Sequence, residues 1–237
     1  AIATTINENR TARMVGITLQ GTDVDGNSLT YSVVSDASNG STSISGATLT
    51  YNANQDWNGT ETITYKANDG TVDSNTSTIT ITVNAVNDVP VAAAVSASTN
   101  EDTAKTFNLI GTDVEGANNG GSHVVTYSIV SNPSNGSLSS IDAPNENGAS
   151  ITYTPNSNWN GTDTFTYKVN DDTVDSNTAT VTVTVAAVND APVTTAIATT
   201  INENRTARMV GITLQGTDVD GNSLTYSVVS DASNGST

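Results

Sequence analysis

Carboxylates are the side chains with most capacity for chemistry in this 237-residue sequence: 24 Asp and Glu stand against 7 Lys and Arg, one His and no Cys, for a formal net charge of -17. They gather at turns. Asp23-Val24-Asp25-Gly26-Asn27, Asn68-Asp69-Gly70 and Asn87-Asp88-Val89-Pro90 each place acids beside amide carbonyls. Holding several carboxylates together is costly without a cation, because the charges repel through partly desolvated protein. Calcium takes about six to eight oxygen ligands from carboxylates, amide side chains and backbone carbonyls, which is the donor set on offer. Softer metals lack their preferred nitrogen and sulfur ligands. A local alternative stays open, since Asp, Asn and Gly in these patterns also build Asx turns. An EF-hand is excluded, because the twelfth position counted from Asp23 is Val34 where a Glu is required.

The same inventory argues against other functions. The acids recur with the repeats described below instead of converging on one cleft, so no paired-carboxylate acid/base site is expected. His123 has no repeated counterpart, and no nucleophile-elbow sequence accompanies it. We expect a protein that is not an enzyme. Lys and Arg are too scarce for a phosphate-reading surface, which excludes nucleic acid and anionic membranes as partners. Apolar stretches such as Val91–Val95 and Val185–Val188 fall far short of the roughly 20 residues a spanning helix needs, so no membrane insertion is expected in this segment. No charged region followed by an apolar one marks a signal peptide, so the sequence reads as mature or internal.

The elements that must position the acids follow from self-similarity. Residues 196–237 reproduce 1–42 without a substitution, and Tyr51–Val91 aligns to Tyr153–Val193 with 28 of 41 positions identical. Pro90 and Pro192 in the matched linkers break the strand pattern before a new module begins. This predicts modules at 1–88 and 89–190, and at 191–237 the first half of a third module that copies module one. A half of about 45 residues rarely buries enough surface to fold alone, so the chain is expected to be an excerpt from a longer array.

The 41 Thr, seven Asn-Gly and three Asp-Gly dipeptides favour pleated strands and tight hairpin turns. Alternation of apolar and polar residues is clear in Leu29–Val33, Ile63–Ala67 and Ile79–Val83. With Thr4–Asn7, Arg13–Leu19, Ser41–Ile44 and Thr48–Tyr51, module one has about seven short strands, the count of a Greek-key sandwich. The predicted fold class is therefore all-β, with tandem seven-stranded Greek-key sandwich modules. An up-down strand count puts the Asp23–Asp25 loop, the Asn68–Asp69 loop and the incoming linker at one end. Trp57 and Trp159, matched before an Asn-Gly-Thr turn, are expected to close an end of each sandwich, with sugar stacking as the alternative.

Three motifs carry a family resemblance: Tyr65-Lys-Ala67-Asn68-Asp69-Gly70, Asp23-Val24-Asp25 and Asn87-Asp88-Val89-Pro90. They resemble the Ala-x-Asp, Asp-x-Asp and Asn-Asp-x-Pro signatures of cadherin repeats. With Asn160-Gly-Thr-Asp-Thr-Phe-Thr-Tyr167, the sequence is most similar to the bacterial cadherin-like tandem repeats of large secreted surface proteins and adhesins. The resemblance implies calcium between successive modules. At the first junction it implies Asn87 and Asp88 from the linker, Asp113, Glu115 and Asp171 from module two, and Glu8 from the base of module one. At the second it implies Asn189, Asp190, Asp218 and Asp220, with Glu101. Asp23, Asp25 and Asp69 would face a further module. The cadherin Asp-Arg-Glu motif is absent, since Gln55-Asp56-Trp57 and Ser157-Asn158-Trp159 stand in its place, and the smaller carboxylate supply implies about one or two ions per junction.

These readings lead to a structural extender segment of an extracellular or cell-surface adhesin, stiffened by calcium, whose partners are the neighbouring modules and other copies of the chain. The alternatives are a sandwich module that binds glycan or protein, and a self-associating extracellular filament or surface layer.

Overall fold

A computed structural model describes residues 1–8, 14–114, 125–144, 148–201 and 210–233. Glu115 and His123 lie outside these described residues. The first sandwich uses seven strands: β1 (Ile2–Asn7), β2 (Met14–Thr18), β3 (Thr30–Ser35), β4 (Gly40–Ser45), β5 (Thr48–Ala53), β6 (Gly59–Asn68) and β7 (Ser77–Asn84). One sheet has the order β1-β7-β6-β3 and the other β2-β5-β4. Strand β1 runs parallel to β7, with Ile2 opposite Ile79 and Asn7 opposite Asn84. Inward residues at period two, Ile63 and Tyr65 on β6 and Ile79, Ile81 and Val83 on β7, meet Ile17, Leu19, Leu49 and Tyr51 in the core.

The second sandwich repeats this plan. Its strands are β8 (Val91–Ala92), β9 (Val95–Asn100), β10 (Lys105–Leu109), β11 (Gly111–Thr112), β12 (Thr126–Ser131), β13 (Gly136–Leu138), β14 (Ala149–Pro155), β15 (Gly161–Asn170) and β16 (Ala179–Ala186). The sheets are ordered β12-β15-β16-β9 and β10-β14-β13, with a small β8–β11 ribbon where the linker enters. In the third stretch the named strands are β17 (Val193–Thr194) and β18 (Gly216–Thr217), which pair with each other. The architecture is all-β, in tandem Greek-key sandwiches.

Two acids point inward. Glu61 and Asp163, both 4% exposed, occupy the same position on β6 and β15. Glu61 Oε2 accepts the backbone N–H groups of Ser38 and Asn39 at 3.1 and 2.6 Å. Asp163 accepts those of Ser134 and Asn135 at 3.0 and 2.8 Å, and the Tyr153 hydroxyl at 3.1 Å. Each acid thus satisfies a turn that would otherwise bury orphan donors. Burial, and then the neighbouring carboxylate, pushes the Tyr51 phenol up to about 12 and raises that of Tyr153.

Trp57 and Trp159 are half-buried and pack against the two cores, as the matched positions predict. The following glycines have φ of 141° and 138°, a conformation L side chains rarely adopt, and a Cβ on either would lie 3.1 Å from the indole. The Asn-Gly-Thr turn is thereby tied to the tryptophan it follows.

Candidate cation-binding junctions

The acidic loops are first of all self-bracing. Asp23 Oδ1 accepts the N–H groups of Asp25 and Asn27 at 3.0 and 2.9 Å, and Asp218 Oδ1 accepts that of Asn222 at 3.1 Å. Asp69 Oδ1 accepts from Thr71 and Val72, each at 2.7 Å, and Asp171 Oδ1 does the same from Thr173 and Val174. These are the Asx turns that the composition allowed. The backbone donors of Val72 and Thr71, then the Thr71 hydroxyl, hold the Asp69 carboxyl below its ordinary value. Asp23 and Asp69 line one cavity, which puts their two loops at the same end of module one, while Asp25 is exposed beside it.

At the first junction the second oxygen of Asp171 reaches the linker. Asn87 Nδ2 donates to Asp171 Oδ2 at 2.8 Å and to the Asp88 carbonyl at 2.8 Å, while Asn87 Oδ1 accepts from Thr173 Oγ1 at 2.9 Å. One amide therefore stitches the linker to the top of module two. Burial opposes ionisation of Asp171, which is 2% exposed. The Val174 N–H, the Asn87 amide and the Thr173 donors outweigh it and hold the carboxyl down at about 2. Asp88 Oδ2 and Asp113 Oδ1 are each closed off from solvent at this end of the module.

The second junction is held differently. Asp190 N donates to Asp220 Oδ2 at 2.7 Å, and Asn222 Nδ2 donates to Asn189 Oδ1 at 3.0 Å. The amide nitrogen of Asn158, oriented as its neighbours require, lies 3.1 Å from Asp190 Oδ2 and 3.2 Å from Asp102 Oδ2. Asp190 is surrounded by its own sign of charge. Burial first, and then Asp220, Asp102, Glu101 and Asp218, push its carboxyl above the ordinary value.

Glu8 and Glu101 form the module bases. They are 2% and 4% exposed, and their backbone N–H groups cap the last strands at Asn84 O and Ala186 O. Glu8 Oε1 accepts from Val86 N at 2.8 Å and Glu101 Oε1 accepts from Val188 N, so each anchors the start of its linker. Glu8 Oε2 also accepts from the Asn58 amide at 3.3 Å.

Asp102 and Asn158 are additions to the residues singled out from sequence. Both have left-handed backbones, with φ of 56° and 55°, which aim them at the linker. The readable signals were the acid directly after Glu101 and the polar residue directly before Trp159. Among the described residues no group of three or more His, Asp or Glu side chains converges as a ready-made metal cage. The donors at the junctions are hard oxygens, with the charge and chemistry calcium favours.

The bacterial Ig domain matches this chain twice, over residues 1–82 and 87–184. The chain belongs to the bacterial Ig domain family. The two matches fall on the two sandwiches, each a bacterial Ig domain. Among solved structures it is similar to human CDH23 EC21-23, at 15% identity and a TM-score of 0.55, covering 91% of this chain and 77% of that one. It is also similar to protocadherin gammaB7 EC3-6, at 18% identity and a TM-score of 0.51, covering 92% and 54%. Both likenesses show the fold. The endo-fucoidan hydrolase MfFcnA4_H294Q matches at 22% identity with a TM-score of 0.35, and the chain spans only 28% of its length. No curated protein matches the chain. No helix among the described residues is long and apolar enough to cross a membrane.

Proposed function

We propose that these bacterial Ig domains form an extender segment of an extracellular surface protein or adhesin, without catalytic activity, in which calcium at the junctions fixes one module on the next. The observation that carries the reading is the second junction. Its linker carboxylate Asp190 is pushed above its ordinary value by burial and by four surrounding acids. A divalent cation held there would neutralise that repulsion and bridge the linker to the loops around it. Asn189, Asp190, Asp218 and Asp220 would hold it with Glu101 and Asp102. At the first junction Asn87, Asp88, Asp113, Glu115 and Asp171 would do so with Glu8.

When bound, calcium supplies charge neutralisation and several oxygen bonds, and the chain's own residues orient those oxygens. Glu8 and Glu101 fix the linker origin through Val86 and Val188, and Asn87 fixes the linker against Asp171. Titration calorimetry of calcium into metal-stripped protein tests the reading. Saturable binding is expected, weakened at least about tenfold by Asp190→Asn at one class of site. Absence of binding up to several millimolar calcium would overturn it.

A further inference from the structure

Four Asn-Gly pairs lie wholly within the described residues: Asn39-Gly40, Asn58-Gly59, Asn135-Gly136 and Asn160-Gly161. Each is followed by Ser or Thr, so the four share nearly the same intrinsic chemistry. The backbone nitrogen of a glycine can attack the side-chain Cγ of the preceding asparagine, because no Cβ shields it. The Cγ–Nδ2 bond breaks, ammonia leaves carrying the glycine's proton, and a five-membered succinimide remains. Water then opens the ring at either carbonyl and gives isoaspartate or aspartate. No other reagent is consumed, and the net change is one amide exchanged for one carboxylate.

Tertiary structure separates the four. Closing the ring requires the asparagine carbonyl to swing as Cγ meets the next nitrogen. Asn39 O is held by Asn54 N and by the Tyr51 hydroxyl, each at 3.0 Å, and Asn39 N donates to Glu61 at 2.6 Å. Asn135 O is held by Asn156 N at 2.9 Å and the Tyr153 hydroxyl at 3.3 Å, and Asn135 N donates to Asp163 at 2.8 Å. The glycines that follow are wedged, since a Cβ on Gly40 or Gly136 would lie 2.5 or 2.4 Å from the Tyr51 or Tyr153 ring. Gly59 and Gly161 are exposed instead. Asn160 is exposed as well, whereas Asn58 is half-buried, with its amide tethered at 3.3 Å to Glu8 Oε2.

We propose that Asn160-Gly161 and Asn58-Gly59 are deamidation sites, through which the chain adds carboxylates to its own module bases as it ages. Asn160 reacts first, and the Glu8 tether slows Asn58. The product at Asn58 faces a carboxylate that is 2% exposed. It repels Glu8 and withdraws the donor on Oε2, so Glu8 loosens its hold on Val86 N, which lies 2.8 Å from Oε1. The isoaspartyl form also adds a backbone methylene directly before β6, where Gly59 lies against the Trp57 indole and pairs with Val83. At Asn160 the new charge arises two residues from Asn158, whose amide reaches Asp190 and Asp102. Glu61 and Asp163 gain a second role, because by pinning Asn39 and Asn135 they protect those pairs. None of this requires a bound cation.

The test incubates the full chain in mildly alkaline buffer made with heavy-oxygen water, then locates the incorporated oxygen by digestion and mass spectrometry. A parallel sample in urea gives the rates of the four pairs without tertiary structure. The folded chain is expected to label Asn160 and then Asn58. Asn39 and Asn135 should fall at least about tenfold below Asn160, because two hydrogen bonds on each carbonyl must break first. In urea the four rates should converge. Folded-state rates at Asn39 or Asn135 equal to that at Asn160 would overturn the proposal, as would no label at Asn160 and Asn58 while the urea sample converts. Asn58→Asp reads the consequence for the linker. Amide hydrogen exchange at Val86 should quicken about tenfold in it, and Asn160→Asp should leave that exchange unchanged. Val86 exchange as slow in Asn58→Asp as in the unmodified chain would overturn the coupling of Asn58 to the linker.

Discussion

Residues 1–42 and 196–237 are the same sequence in two environments. In the first, Ile17 and Leu19 are 5% and 2% exposed, because β5, β6 and β7 close over them. In the second, their counterparts Ile212 and Leu214 are 49% and 48% exposed. The difference teaches that the alternating pattern of a strand states which face can be buried, and that the rest of the sandwich decides whether it is. Local propensity is identical in the two copies, so the burial comes wholly from tertiary packing.

The sharpest way to break the comparison is one substitution made twice. Leu19→Ala should cost about 2–5 kcal/mol in chemical denaturation, the loss of a fully buried leucine plus its cavity. Leu214→Ala should stay within about 0.5 kcal/mol. Next in size is Glu61→Ala, which strands the Ser38 and Asn39 N–H groups and should cost about 1–3 kcal/mol in module one while leaving the unfolding of module two in place. Urea melts followed by tryptophan fluorescence of single-Trp variants separate the two modules.

A third, smaller effect compares the junctions through pH. Asp171 is held down at about 2, so its contribution is fully present above its ordinary value near 4 and is lost as pH falls from there toward 2. Asp190 is raised, so its contribution is present below the ordinary value and is lost as pH rises through the shifted one. In metal-free buffer, acidification should therefore loosen the first junction and tighten the second. Carboxyl-carbon NMR titration reads both residues, and calcium should return Asp190 to a lower value.

Much of this was legible from residue order. The seven strands of module one follow its alternation, and the shared loop end of Asp23 and Asp69 follows from counting strands up and down. The inward acids could also be read: Glu61-Ile63-Tyr65-Ala67 and Asp163-Phe165-Tyr167-Val169 keep one phase, so the acid falls on the core face. What they bind could not be read, because the Ser38–Asn39 and Ser134–Asn135 turns meet them only across the fold. Asp102 and Asn158 were hidden for a similar reason. Their role depends on left-handed backbone at two positions some 56 residues apart, and no local motif marks that convergence.

The most direct test of cation-set junctions is small-angle X-ray scattering on the chain in millimolar calcium and again in excess chelator. A larger maximum dimension and a narrower distribution of shapes with calcium are the expected result. Superimposable profiles in the two buffers would contradict the account and leave Asp88, Asp171 and Asp190 as residues that shape turns and linkers alone.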